Sequence, residues 1–149
     1  MSSNILVVGS INMDLITVLE RFPKVGETLL GQTFTTALGG KGSNQAVAAA
    51  RLGAQVAMIG AVGDDANGDA ALKILRQEGV DCSGIAVKTG MSTGIASITV
   101  AEGDNHIIVV SGANFALGLA DIDAHAEWFA AADVVLCQLE IPMDCVLHA

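Results

Sequence analysis

Three short apolar runs stand out when hydrophobic and polar positions are followed along the chain. Ile5 to Gly9 and Gln55 to Gly60 each end at a glycine, and Asp133 to Gln138 repeats the pattern later. Continuous apolar runs of this length are typical of strands that are buried on both faces of a parallel sheet. We therefore predict three buried strands in one sheet.

Segments of helical character lie between and after these runs. Their signals are an alanine-rich stretch, an acidic residue able to cap a helix, a glycine at the predicted end, or a proline at the first helical position. The predicted helices are Gly42 to Leu52 with a stop at Gly53, Asp65 to Glu78 with a stop at Gly79, Asp121 to Ala132, and a segment beginning at Pro142.

A second group of strands is more polar and lacks helical periodicity. Leu15 to Val18 and Thr28 to Leu38 are rich in Thr and β-branched residues, and apolar and polar residues alternate from Gly94 onward. Ala101 to Asn105 predicts a hairpin loop, and His106 to Val110 returns along the preceding strand. These strands interrupt the alternation of strands and helices, so we expect them to form a small separate sheet.

The complete pattern predicts an α/β fold with three layers. Alternating strands and helices favour a mostly parallel sheet with helices on both faces. The strand pairs near 15–38 and 94–111 add a smaller β-sheet to it.

Composition narrows the class of protein. A length of 149 residues corresponds to one domain, and 52% hydrophobic residues give a high mean hydropathy of +0.56. No apolar run approaches the roughly 18–20 residues of a membrane helix, and no signal-like segment precedes the first strand. We expect a cytoplasmic protein. Its net charge of −9 opposes general binding to nucleic acids.

The cysteines and histidines do not form a recognisable metal site. Cys82, Cys137 and Cys145 are odd in number and contain no C-x-x-C pair, which favours reduced thiols. The three histidines also lack metal-ligand spacing. The sequence therefore predicts no metal held by protein side chains alone.

The chemistry concentrates in the glycine cluster Gly39-Gly40-Lys41-Gly42-Ser43-Asn44-Gln45-Ala46. Glycines let the backbone approach a ligand, and a helix N-terminus offers free N–H donors and a positive dipole end. Two familiar phosphate loops do not fit. A Walker A loop needs Ser or Thr directly after its Lys, and the chain contains no G-x-G-x-x-G fingerprint. The cluster suits a small polyhydroxylated or anionic ligand.

With Gly53 and Gly63 downstream, this cluster resembles the first signature of the ribokinase-like (pfkB-type) family of carbohydrate kinases. Other pieces of that family's N-terminal half follow the family's order over nearly the whole chain. They are Gly9-Ser10-Ile11-Asn12-Met13-Asp14, Phe22-Pro23-x-x-Gly26-Glu27-Thr28, Gly63-Asp64-Asp65-x-x-Gly68, Ser92-Thr93-Gly94, Gly112-Ala113-Asn114 and Gln138-Leu139-Glu140-Ile141-Pro142.

The resemblance implies a Rossmann-like α/β fold whose extra strands form a lid over the sugar and the contact of a homodimer. It implies ATP-dependent phosphorylation of D-ribose to ribose 5-phosphate, with ATP, Mg²⁺ and a monovalent cation such as K⁺. The family's second signature, a Gly-Ala-Gly-Asp-type turn with the general base and the anion hole, is not found in residues 1–149. We therefore expect a truncated fold: an N-terminal sugar-binding part without a catalytic residue, inactive alone and lacking the C-terminal nucleotide-binding part.

The expected sugar site lies beyond the carboxyl ends of the strands, where ligands of open α/β sheets bind. Carboxylates, amides, the Lys41 ammonium and backbone N–H groups from these segments can converge there and match the hydroxyls of a pentose. The candidate residues are Asn12, Asp14, Gly40, Lys41, Gly42, Asn44 and Glu140, with Ala96 and Ile98 as lid contacts implied by the resemblance.

Several alternatives stay open at this point. Glu140 could simply favour the dipole of the helix that follows it, and Asp64-Asp65 favours a helix cap over a catalytic pair. The chain could be a non-catalytic sugar-binding or dimerising module. A kinase for fructose, a nucleoside or another small alcohol is a further alternative. The last predicted helix has no stop signal before Ala149, which fits either a truncated chain or a frayed terminus.

Overall fold

The computed structural model describes residues 3–149, in which strands and helices alternate for most of the chain. The strands are β1 (Asn4–Val8), β2 (Asn12–Val18), β3 (Thr33–Gly39), β4 (Gln55–Gly63), β5 (Val80–Lys88), β6 (Gly94–Ala101), β7 (Asp104–Val110) and β8 (Val134–Cys137). The helices are α1 (Lys41–Arg51), α2 (Ala66–Gln77), α3 (Leu119–Asp123), α4 (Ala126–Ala131) and α5 (Met143–His148), with a short 3₁₀ helix at Gly112–Ala116.

The main sheet has the strand order β5-β4-β1-β8, and all its neighbouring strands are parallel. Alternate residues of β1 point to opposite faces. Leu6 and Val8 pack in one core cluster with the 3₁₀ helix, α3 and α5, whereas Val7 packs in the other with α1 and α2. The predicted α/β sheet with helices on both faces is thereby confirmed.

A second sheet lies outside this alternation, with the order β3-β2-β6-β7. Strand β2 pairs in parallel with β6 and antiparallel with β3, and β6 and β7 form the predicted hairpin. The hairpin turns at Glu102 and Gly103, which both have positive φ angles of 55° and 79°, as the tight turns that suit twisted strands require.

Two boundaries differ from prediction. The predicted strand from Thr28 to Leu38 is wrong in its first part, because β3 begins only at Thr33, which pairs with Val18 at the end of β2. Residues 28–32 are not part of a strand, although the Gln32 N–H still donates to the Val18 carbonyl oxygen at 2.8 Å. The single helix expected over Asp121 to Ala132 is two short helices, α3 and α4, because α3 packs on α5 while α4 packs on β1.

Two strands of the main sheet were also misjudged. Strand β5, with Asp81, Ser83 and Gly84 among its apolar residues, was not predicted. The third predicted buried strand, β8, is exposed, with Val134 and Val135 at 46% and 37%. Strand β8 is at the sheet edge, and within residues 3–149 no strand pairs with its outer side.

The helices that the structure describes are all too short or too polar to cross a membrane.

Candidate functional site

The glycine cluster brings the N-terminus of α1 against the loop that joins β1 to β2. Gly40 precedes the helix with a φ angle of +89°, and a Cβ there would come within 2.8 Å of the Asn12 nitrogen. A Cβ on Gly42 would come within 2.6 Å of the Ser10 nitrogen. These two glycines are required because any side chain would push the helix away from the loop.

Glu140 binds to this helix N-terminus. Its Oε2 accepts hydrogen bonds from the Ser10 hydroxyl (2.7 Å) and the Lys41 backbone N–H (3.2 Å), and its Oε1 pairs with the Lys41 ammonium. Burial alone would raise the pKa of Glu140, but the bonds from Lys41 and Ser10 and the charge of Lys41 outweigh it, so this pKa is lowered. Glu140 is therefore held as a carboxylate.

Asn12 and Asp14 lie on one face of β2, because residues two apart in a strand point the same way. Their neighbours across the second sheet are small. Asn12 pairs with Gly39 and Gly94, and Asp14 pairs with Ala37 and Ala96. These small residues make room for the two polar side chains, because a Cβ at Gly39 would overlap the Asp14 carboxylate and a Cβ at Gly94 would overlap the Asn12 amide.

The Asp14 carboxylate has no hydrogen-bond donor among residues 3–149, although Asp14 is partly buried. Burial and the nearby charge of Glu140 raise the pKa of Asp14 above its usual value. A half-buried carboxylate without a donor is costly, so this position favours a ligand that donates a hydrogen bond.

A cleft of about 290 Å³ opens beside these groups. It is lined by Asn12, Val109, Ser111, Asn114, Phe115, Leu139 and Glu140. Val109 pairs with Ala96, and Ile107 pairs with Ile98, so both predicted lid contacts lie in β6, the strand next to β7, which contributes Val109 to the cleft. Ile16 and Ile98 pair two residues beyond Asp14 and Ala96 on the same face, so the sheet is apolar there.

The structure brings most of the candidate residues together, but two differ from expectation. Asn44 is exposed and lines a separate groove with Leu38 and Arg51, and it shares no side-chain hydrogen bond with the other candidates among the described residues. The Gly42 N–H, expected to serve a ligand, donates to the Ser10 hydroxyl at 3.3 Å instead. The loop after β1 therefore occupies part of the helix N-terminus.

Two residues of the site were overlooked in the sequence. Ser10 is fully buried and joins Glu140 to α1, and Asn114 is 1% exposed and reaches the loop before β2. Both lie within motifs that carry the family resemblance, which was the available signal. Their contacts span more than a hundred positions, so no local pattern could assign them a role.

The paired acids Asp64 and Asp65 are structural, as expected. Asp65 caps α2 by accepting the Gly68 N–H at 2.8 Å, and it also accepts the backbone N–H and the hydroxyl of Thr93. Asp64 accepts the Gly90 N–H. The predicted cap at Asp65 is confirmed.

A larger cleft of about 540 Å³ lies at the amino ends of β1 and β4, beside Trp128. It contains none of the candidate residues. Ligands of open α/β sheets bind at the carboxyl ends of the strands, so the smaller cleft beside Asn12 and Glu140 is the better site.

Comparison with known proteins gives consistent matches over this whole region. The family profile described as pfkB family carbohydrate kinase matches residues 2–142. The chain is 50% identical over 143 residues to the ribokinase of Bacillus subtilis, covering 96% of this chain and 49% of that protein. It is 40% identical over 147 residues to the deoxyribokinase of Salmonella typhi, covering 98% and 48%.

The fold is equally similar to solved structures. Arabidopsis thaliana ribokinase complexed with ribose and ATP superimposes with a TM-score of 0.87 at 37% identity, covering 98% of this chain and 48% of that one. The chain thus spans about half the length of the relatives it matches.

Proposed function

Because the chain belongs to the pfkB family of carbohydrate kinases, we propose that it forms the sugar-binding part of a kinase that phosphorylates the 5-hydroxyl of D-ribose with ATP. The observation that carries the proposal is the Asp14 carboxylate, which is partly buried beside the cleft and lacks a donor among residues 3–149. The similarity to ribokinases, up to 50% identity, supports ribose as the sugar.

The polar groups at the cleft match a polyol. A hydroxyl group donates one hydrogen bond and accepts up to two. Asp14 offers acceptors, and the Asn12 amide offers a donor on the same face of β2. Glu140 already accepts three bonds of the roughly four that a carboxylate can take, so it has room for one ligand hydroxyl.

In this proposal the chain binds and orients the sugar. Asp14 and Asn12, whose side chains lie over Gly39 and Gly94, bind hydroxyls of the sugar. The second sheet covers the sugar as a lid through Ala96 and Ile98. Fixing the acceptor hydroxyl relative to the phosphate donor is a large part of catalysis by kinases. The base and the anion hole belong to residues outside this chain.

ATP, Mg²⁺ and K⁺ are part of the same proposal. ATP supplies the γ-phosphoryl group, and the metal ions neutralise its charge. Within residues 3–149, no group of three or more His, Cys, Asp or Glu side chains could hold a metal ion. Because the chain spans about half the length of its relatives, we assign the nucleotide and both cations to the part of the protein that it does not span. A cytoplasmic location, where thiols such as the free Cys82, Cys137 and Cys145 stay reduced, completes this setting.

We also propose that the second sheet forms a homodimer contact. Phe34, Ile108 and Val110 lie on the face opposite Asp14 and are 64%, 68% and 50% exposed. Exposed large apolar side chains on one face of a sheet favour an interface, and a symmetric dimer is the commonest closed solution.

Phosphorylation of deoxyribose is the second candidate, because the deoxyribokinase of Salmonella typhi is 40% identical to this chain. The two sugars differ in one hydroxyl. A site built to hydrogen-bond a hydroxyl rejects the analogue that lacks it, since its own polar groups lose a partner.

The experiment measures ATP-dependent phosphorylation by the full-length protein that contains these residues. D-ribose, 2-deoxy-D-ribose and D-fructose serve as substrates, and the 149-residue chain is assayed in parallel. We expect the highest kcat/KM with D-ribose and no turnover by the 149-residue chain. A higher kcat/KM with either other sugar would contradict the ribose assignment. Turnover by the 149-residue chain would contradict the placement of the base elsewhere.

A further inference from the structure

Asn114 makes two hydrogen bonds to Ile11 in the loop that precedes β2 and one to Asn12, the first residue of β2. Its Oδ1 accepts the Ile11 backbone N–H at 2.8 Å, and its Nδ2 donates to the Ile11 carbonyl oxygen at 3.0 Å. The same Nδ2 donates to Oδ1 of Asn12 at 2.7 Å. Asn114 is 1% exposed, so water does not compete for these bonds.

The backbone of Ile11 determines which way the Asn114 amide faces. A reversed amide would set its NH₂ group against the Ile11 N–H and its oxygen against the Ile11 carbonyl, which replaces two hydrogen bonds by two repulsions. Backbone groups cannot exchange donor and acceptor. The NH₂ group of Asn114 therefore has to point to Asn12.

The orientation of Asn12 follows from that of Asn114. Asn12 accepts the bond through Oδ1, so its own NH₂ group is turned away from Asn114. Asn12 is only 4% exposed and lines the cleft, and its Nδ2 has no hydrogen-bond partner among residues 3–149. Gly94 makes room for the pair, because a Cβ there would overlap both amides.

We infer that Asn114 is a positioning residue that makes Asn12 a hydrogen-bond donor to a hydroxyl oxygen of the ligand. This inference rests on the proposed sugar site and deepens it. Asp14 and Glu140 provide acceptors on the same side of the cleft, so a reversed Asn12 would leave three acceptors and no amide donor there. With Asn12 as donor, a hydroxyl can accept from Asn12 and donate to a carboxylate.

The orientation is tested without any sugar, by the hydrogen exchange of side-chain NH₂ groups in ¹⁵N NMR spectra of the protein. The Asn12 and Asn114 signals are assigned from their absence in N12D and N114D. We expect slow exchange for Asn114, whose NH₂ makes two buried bonds, and fast exchange for Asn12. Adding D-ribose should slow Asn12 alone. Slow exchange of Asn12 in the free protein, or fast exchange of Asn114, would overturn the inference.

The role in binding is tested by a double-mutant cycle on the Kd of D-ribose, measured by calorimetry on N12A, N114A and the double variant. We expect N12A and N114A each to raise the Kd about 10- to 100-fold. If Asn114 acts through Asn12, the double variant is no weaker than N12A. Additive losses would contradict this role. Asn105→Ala, an exposed position in β7, is the matched control and should leave the Kd unchanged.

N114A removes three buried hydrogen bonds, so N12D provides a second approach that keeps Asn114 intact. The carboxylate of N12D has nearly the shape of the amide but no donor. We expect N12D to bind ribose no better than N12A, and wild-type affinity in N12D would overturn the inference. If the wild-type protein does not bind ribose, the proposed function fails, whereas the exchange measurement still decides the orientation of Asn12.

Discussion

The carboxylate of Asp14 lies in the space that a side chain at Gly39 would fill. A Cβ at position 39 would come within 2.5 Å of both carboxylate oxygens. The two residues are on neighbouring antiparallel strands, β2 and β3, and Gly39 lies opposite Asn12, two residues before Asp14 on the same face. Gly39, the first glycine of the cluster, is therefore needed to leave room for the Asp14 carboxylate.

Gly39→Ala should consequently displace Asp14 and weaken ribose binding by about tenfold or more, because the carboxylate has to move from its position beside Asn12. The measurement is the Kd of D-ribose by calorimetry, with circular dichroism to verify folding. Gly118→Ala is the matched control, since its nearest neighbour would be the Asp121 carboxylate at 3.7 Å. A folded Gly39→Ala variant with wild-type affinity would show that Asp14 is not a ligand of the sugar.

Asp14→Asn should raise thermal stability at pH 7 while it weakens ribose binding about 10- to 100-fold. The pKa of Asp14 is raised in the folded protein by burial and the Glu140 charge. Stability is therefore lost as the pH rises through the raised pKa, and a neutral Asn avoids this loss. The melting temperature of Asp14→Asn should exceed that of wild type increasingly from about pH 4 upward.

Glu20→Gln is the control for that comparison, because Glu20 is exposed and makes no side-chain hydrogen bond within residues 3–149. It should leave both the affinity and the pH profile unchanged. A lower melting temperature of Asp14→Asn at pH 7 would contradict the assigned cost of the buried charge.

Ser10→Ala should destabilise the protein by about 1–3 kcal/mol, because it leaves the buried Gly42 N–H without its partner and removes one donor from Glu140. The pKa of Glu140 should rise toward its usual value for the same reason. Urea denaturation gives the free energy of unfolding, and NMR titration gives the pKa. Ser97→Ala, at an exposed position of β6, is the control and should change neither.

Asp65→Ala should cost about 2–3 kcal/mol at pH 7, from the lost cap of α2 and the lost bonds to Thr93. Burial raises the pKa of Asp65, but the hydrogen bonds from Thr93 and Gly68 outweigh it and lower this pKa. Its stabilising effect is thus present at neutral pH and lost as the pH falls through the lowered pKa. Denaturant unfolding between pH 2 and 7 should show the free energies of unfolding of wild type and Asp65→Ala approaching each other as the pH falls.

Ile108→Lys should convert the proposed dimer into a monomer, because a charge introduced into a self-pairing apolar patch is duplicated by symmetry. Light scattering at micromolar concentration measures the mass. Val87→Lys carries the same charge on an exposed position of β5, outside the second sheet, and should leave the dimer intact. A wild-type protein that is already monomeric would contradict the proposed interface.

The sequence carried the elements whose signals are local. Helix α1 was predicted within one residue at each end because glycines bracket it, and Gly53 indeed has a φ angle of +94°. The cap at Asp65 and the turn at Gly103 also depend on a few neighbouring residues. Such signals need no knowledge of the tertiary structure.

The wrong predictions concern elements whose boundaries are set by tertiary contacts. Thr33 begins β3 only because β2 ends at Val18 opposite it, and the propensities of residues 28–32 say nothing about that pairing. The helix over 121–132 divides into α3, which packs on α5, and α4, which packs on β1. In the site, the convergence of Asn12, Asp14 and Glu140 followed from strand order. The roles of Ser10 and Asn114 did not, because they depend on side-chain geometry across long separations.

The bonds that assemble the cleft join residues that are distant in sequence. Ser10 and Glu140 are 130 positions apart, and Ile11 and Asn114 are 103 apart. Contacts with such separations are slow to form, since closing long loops costs entropy before the contact repays it. On the ribosome, a nascent chain that ends before position 140 lacks Glu140 and cannot complete the cleft. Ribose should therefore bind only after residues up to Glu140 have emerged from the ribosome. Because a ligand stabilises only the states that bind it, ribose should stabilise the completed cleft and no partly folded chain.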